Sequence, residues 1–72
     1  MSSIHSNDHA KIVANLKKAR KESGLDQLQV AKLLKRSQSY ISKIESGQRK
    51  IDVIDLQKFG QIYKKPLTFF ID

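Results

Sequence analysis

Residues 27–46 read QLQVAKLLKRSQSYISKIES, from Gln27 to Ser46. Two short helices are written in this stretch. Asp26 stands three residues before Gln29, the form of a capping box, and Val30, Ala31 and Leu34 give the helix that follows an inward face over residues 27–34. The polar run Lys35-Arg36-Ser37 then separates it from a second helix, which Ser37 caps and whose inward positions are Ile41 and Ile44. Gly47 closes that helix. Three connecting residues are too few to lay the two helices side by side, so they must cross at a steep angle. The small Ala31 suits the point of closest approach, and the branched Ile41 fills the space opposite.

Working outward, Asn7-Asp8 can cap a helix that starts near His9, with Ile12, Leu16 and Ala19 as its buried stripe and Gly24 as its left-handed end. On the other side, Asp52 and Asp55 mark the start of a fourth helix, where a cap and the helix dipole both favour acid, with Leu56, Phe59 and Ile62 or Tyr63 turned inward. Lys64-Lys65-Pro66 breaks it. Pro66 suits the first position of a last short turn over residues 67–71. No segment alternates as a strand would. The predicted fold is all-α, a compact bundle of five short helices over residues 9–72, preceded by a flexible N-terminus of residues 1–8.

A chain of 72 residues is one domain, too short for most catalytic scaffolds. Fourteen Lys and Arg against seven Asp and Glu leave a net charge of +7, which predicts an acidic partner such as nucleic acid or an anionic surface. There is no Cys, which removes disulfides, thiolate chemistry and Cys-based zinc sites. No apolar run approaches the ~18 residues of a membrane span and no signal segment opens the chain, so the expected location is the cytoplasm, on the nucleoid when bound to DNA. His5 and His9 are four apart with Asp8 beside one of them, but without a fourth ligand no metal is expected. No nucleophile, base and orienting acid come together in the sequence, so the chain is read as no enzyme, and no cofactor is expected.

Function resides in the crossed pair, a helix-turn-helix unit over residues 27–46. With Ile41 and Ile44 inward, helical spacing turns Gln38, Ser39, Ser42 and Lys43 to the other side. A Gln amide can bridge adenine N6 and N7, a Lys ammonium can donate to guanine O6 and N7, and a Ser hydroxyl can serve several base edges. Such a strip suits the major groove of double-stranded DNA. Arg36, Arg49 and Lys50 flank it in loops, where cations that grip the phosphate backbone belong, and the Tyr40 hydroxyl is placed to reach a phosphate while its ring packs on the domain.

At unbroken spacing, Leu16-Lys17-Lys18-Ala19-Arg20, Gly24-Leu25-Asp26-Gln27, Val30-Ala31, Leu34, Ser37, Ile41-Ser42-Lys43-Ile44-Glu45 and Gly47 resemble the lambda-repressor-like family, the Cro and phage repressor type. The resemblance runs from Leu16 to about Phe70. It implies that Gln27 braces on a phosphate, that Gln38 and Ser39 read bases, and that Arg20 pairs with Glu45 structurally. Some residues depart from the family pattern. Lys35 stands where the turn usually has Gly and must bear a left-handed conformation at a cost of ~1 kcal/mol or let the turn relax. Leu28 puts an apolar side chain beside Gln27, and Gly60 stands where Ala is more usual, weakening the fourth helix slightly.

The expected function is a sequence-specific transcriptional regulator, a repressor, acting as a homodimer on a palindromic operator. One module of this size covers only ~600 to 1,000 Å² of DNA-facing surface, and a second half-site supplies the rest. The apolar cluster Leu67, Phe69, Phe70 and Ile71 exceeds what a short last helix must bury, leaving part of it for a subunit contact or for a segment beyond Asp72. Other readings are an antitoxin with a toxin partner, the DNA-binding domain of a longer regulator, or, in another class, a helical protein-interaction adaptor that does not read sequence. By segment, residues 11–21 carry +5 and residues 35–50 carry +4, so the charge is not a uniform coat. The +4 block flanks the reading helix, whereas Lys17, Lys18 and Lys21 on the first helix are expected to be solvated charge.

Overall fold

The computed structural model describes the backbone of residues 3–72 and the side chains of residues 8–72. Five helices follow in order: α1 Ser3–Glu22, α2 Gln27–Leu34, α3 Gln38–Glu45, α4 Val53–Tyr63 and α5 Leu67–Ile71. Among the described residues there is no strand. The all-α, five-helix reading therefore holds. The first boundary does not: α1 begins at Ser3, so Asn7 and Asp8 lie inside the helix rather than capping it at His9. No Pro or Gly stands between Ser3 and His9 to stop the helix from running on. Met1, Ser2 and the side chain of His5 lie outside the described residues, and with them half of the His5–His9 pair.

The three central caps are made of side chains three residues from the groups they satisfy. At α2 the Gln29 amide donates to the Asp26 carboxylate and the Asp26 amide to the Gln29 side-chain oxygen, both at 2.8 Å. At α3 the Tyr40 amide donates to the Ser37 hydroxyl at 3.1 Å, and at α4 the Asp55 amide donates to the Asp52 carboxylate at 2.8 Å. Lys35 does take the left-handed conformation, with φ 61° and ψ 45°, and the turn does not relax around it. Its successor's amide donates to the Ala31 carbonyl at 2.9 Å, closing the end of α2 and turning the chain directly into α3. Lys64 ends α4 in the same way, at φ 57°. Pro66 sits one position earlier than expected, as the residue before α5 with ψ 159°, extended rather than helical.

Leu16 and Ala19 from α1, Val30, Ala31 and Leu34 from α2, Ile41 and Ile44 from α3, Leu56, Phe59 and Tyr63 from α4, and Phe70 from α5 form one buried cluster. Ile62 is only partly buried, so Tyr63 takes the inward place that the sequence left open between them. Phe59 and Tyr63 stack with ring centroids 5.9 Å apart. The C-terminal apolar cluster is mostly consumed at home: Phe70 is fully buried, Leu67 and Phe69 pack against the core, and Ile71 alone of the four is exposed. Asn15 on α1 explains how α5 is held, because its side-chain amide donates to the carbonyls of Phe69 at 3.2 Å and Phe70 at 3.0 Å. These are terminal carbonyls that a five-residue helix cannot satisfy itself.

Gly60 is not a mere weakening of α4. A Cβ at this position would lie 2.9 Å from the Lys65 carbonyl oxygen and 3.5 Å from the Phe70 ring. Glycine lets the chain fold back over the end of α4, where the Lys65 amide donates to the Gly60 carbonyl at 2.9 Å. The close approach is what brings Phe70 under the bundle.

Candidate nucleic-acid interface

Along α3 burial alternates in pairs. Tyr40, Ile41, Ile44 and Glu45 are buried, whereas Gln38, Ser39, Ser42 and Lys43 are exposed, so the four side chains with base-reading chemistry share the face turned away from the core. Nothing within the domain competes for this strip: no hydrogen bond ties any of those four side chains to another described residue. Ser46, one turn on from Ser42, uses its hydroxyl on the Lys43 carbonyl at 3.2 Å.

The side of α3 toward α1 is organised by Glu45. Its carboxylate, 4% exposed, receives Arg20 Nε at 2.8 Å and Arg20 Nη2 at 3.1 Å, a two-pronged ion pair. The remaining Arg20 nitrogen, Nη1, donates to the Leu25 carbonyl at 3.0 Å. The hydrogen bond to Glu45 outweighs burial and holds the guanidinium pKa above its ordinary value. Gln27 Nε2 also donates to Glu45, at 3.2 Å. Since a carboxylate only accepts, Glu45 fixes which end of the Gln27 amide points inward and leaves one N–H and the carbonyl oxygen for an outside partner. The pair that braces the bundle thus also sets the angle of the residue at the start of α2.

Beside them, a cleft of about 270 Å³ is lined by Lys17, Arg20, Lys21, Gln27, Ser42, Glu45 and Ser46. Lys17 and Lys21 therefore border the same surface as the exposed strip of α3. From sequence these lysines read as solvated charge, because helical spacing alone does not say which neighbour a lysine stands beside.

At the opposite side of α3 the organiser is Tyr40, 8% exposed. Its hydroxyl donates to Asp55, which also receives Arg36 Nη2 at 3.1 and 3.3 Å. The Arg36 guanidinium lies 4.7 Å and the Arg49 guanidinium 4.9 Å from the Tyr40 ring centroid. Burial, and after it the Asp55 carboxylate, pushes the Tyr40 phenol up to about 12. Its hydroxyl faces the interior, whereas the sequence reading has it reaching outward. Arg36, Arg49 and Lys50 are exposed. Asp55, 3% exposed, is the residue sequence reasoning missed: the position three after the cap Asp52 gave it a helix-dipole role, and only the approach of Tyr40 from α3 gives it another.

No described helix is long and apolar enough to cross a membrane. Comparison with curated proteins and with solved structures gives no match. The comparison with protein families does give one, to the family described as helix-turn-helix, over residues 16–70, which contains the capped crossing of α2 and α3, the Arg20–Glu45 pair and the whole of α4. By that match and by its five-helix fold, the chain belongs to the lambda-repressor-like helix-turn-helix family of DNA-binding regulators.

Proposed function

We propose that this protein is a sequence-specific regulator of transcription, a repressor that binds a palindromic operator in double-stranded DNA as a homodimer. The carrying observation is the exposed face of α3, where Gln38, Ser39, Ser42 and Lys43 stand free beside a wholly buried opposite face. In this reading α3 enters the major groove and those four side chains read base edges. Gln27, Arg36, Arg49 and Lys50 hold the phosphates on either side and fix the register. The Arg20–Glu45 pair keeps α1, α2 and α3 in the angle that makes both sets of contacts simultaneous.

Two copies on half-sites about one helical turn apart supply the surface that one module lacks. Because Leu67, Phe69 and Phe70 serve the core, the subunit contact draws instead on exposed apolar side chains such as Leu33, Val53, Ile54 and Ile71. A dimer seated across an operator represses by occupying it, in the compartment that holds the chromosome.

The test is selection from a random-sequence duplex pool, repeated with Gln38→Ala and Arg49→Ala. Gln38→Ala should relax the preference at one base position with a loss of ~1 to 3 kcal/mol, while Arg49→Ala should weaken all sequences alike and lower the salt slope by ~1. A pool from which no motif emerges would refute sequence-specific reading. Sedimentation with operator DNA decides the stoichiometry, and a strict one-to-one complex on a palindrome would refute the dimer.

A further inference from the structure

We propose that Tyr40 is a positioning residue for DNA contact: it meets no nucleotide itself, and aims the guanidinium groups of Arg36 and Arg49 at backbone phosphates flanking α3. The inference rests on the DNA-binding reading above. Arg36 precedes α3 and Arg49 follows it, yet both guanidiniums converge on one ring, at 4.7 and 4.9 Å from its centroid. A long cationic side chain loses rotamer freedom when it seizes a phosphate, and a ring that already orders the guanidinium lowers that loss. The ring in turn is not free to turn, because its hydroxyl donates to Asp55, buried in the first turn of α4. That turn is itself anchored by the Asp52 cap.

The hydrogen bonding of Arg36 fits the same role. Only Nη2 is used on Asp55, so Nε and Nη1 keep their N–H groups for an outside acceptor. Arg49 lies over the ring and forms no ion pair among the described residues, so it would meet a phosphate with its charge undiminished. A single buried phenol therefore links two cations from separate loops and a third element, α4, into one preset geometry.

The experiment is a mutant cycle on a duplex of arbitrary sequence, where phosphate contacts dominate, using Tyr40→Leu alone and in an Arg36→Ala/Arg49→Ala background. In the wild-type background, Tyr40→Leu should weaken binding about tenfold and make the slope of log affinity against log salt shallower by about 1. In the background lacking Arg36 and Arg49 it should cost nothing further. A Tyr40→Leu penalty that persists without Arg36 and Arg49 would mean a general disturbance of α3 and overturns the proposal.

Tyr40→Phe, which keeps the ring and should fold, loses only the Asp55 anchor and should show a smaller loss with the same dependence on the arginines. Proton NMR of the free protein gives a readout independent of DNA. The side-chain protons of Arg36 and Arg49 should be shifted upfield by the ring, and Arg49 protons at unshifted positions would refute the arrangement. Wild-type protein that binds no duplex at any salt would refute the DNA-binding reading, and this inference with it.

Discussion

Arg20 on α1 grips Glu45 at the end of α3 with two parallel hydrogen bonds, of 2.8 and 3.1 Å, and the same carboxylate holds Gln27 at 3.2 Å. Three helices meet at one acid. Removing it leaves Arg20, whose side chain is 14% exposed, without its counter-charge. Glu45→Ala should lose on the order of 3 kcal/mol in urea unfolding, since the stranded guanidinium costs more than the pair contributes over an apolar substitute. A loss below ~1 kcal/mol would show that water reaches and solvates Arg20.

Gly60 sets helix propensity against space. Alanine is better than glycine inside a helix by ~1 kcal/mol, so propensity alone has Gly60→Ala stabilising. The added methyl would stand 2.9 Å from the Lys65 carbonyl oxygen, a backbone atom that cannot swing aside. Thermal unfolding should therefore show a net loss of ~1 kcal/mol or more, of the kind seen when a packed site is overfilled. A raised melting temperature would show that the α4–α5 turn yields.

Lys35 presents the opposite case. It holds φ 61° with a β-carbon, one residue past α2, where glycine would rest without strain. Lys35→Gly should stabilise the domain by ~0.5 to 1 kcal/mol, the relief of the left-handed conformation exceeding the entropy that glycine adds to the unfolded chain. Denaturant midpoints of the two proteins check the sign.

The two tyrosines offer a spectroscopic test of burial. Tyr40 is raised from 10.0 to about 12, by burial first and then by its hydrogen bond to Asp55; Tyr63 is raised too, by burial first and then by the Glu45 charge. The folded state thus keeps its phenol protons where the unfolded chain releases them. Stability is fully present below pH 10 and falls as pH rises through about 12. Tyrosinate absorbance at pH 10 should be nearly absent in the folded protein, and should grow together with the loss of helical circular dichroism. Ionisation of half the phenols at pH 10 in a folded sample would contradict the burial of both rings.

Tyr63 adds a sharper substitution. Its hydroxyl is buried with no hydrogen-bond partner among the described residues, whereas its ring stacks on Phe59. Tyr63→Phe keeps the ring and deletes the orphaned group, so it should be neutral or stabilising by up to ~1 kcal/mol. Calorimetry that shows a loss would place an unseen partner, such as a water, on that oxygen.

What the sequence discloses of this molecule is what lies within three or four residues. Asp26 with Gln29, Ser37 with the Tyr40 amide and Asp52 with the Asp55 amide are all local, and they place the starts of α2, α3 and α4 correctly. The exposed strip of α3 follows from the same short-range period. The start of α1 was misplaced because a polar pair able to cap a helix is equally able to ride inside one. Asp55 and Gly60 were misread for a different reason: their roles depend on Tyr40, 15 positions away, and on a chain reversal at Lys65, neither of which has a periodic signature.

Asn15 reaches 54 and 55 positions along the chain to bind the carbonyls of Phe69 and Phe70. A five-residue helix has no standing of its own in water. Its order must be borrowed, and the lender is the first helix. The amides of α5 should then exchange with solvent at the same rate as those of central α1, as one opening unit, rather than fraying independently. Formation of α2 and α3 needs only near neighbours, but the bundle is complete only when its two most distant segments have met, so the slowest search in folding is the one that joins α5 to α1.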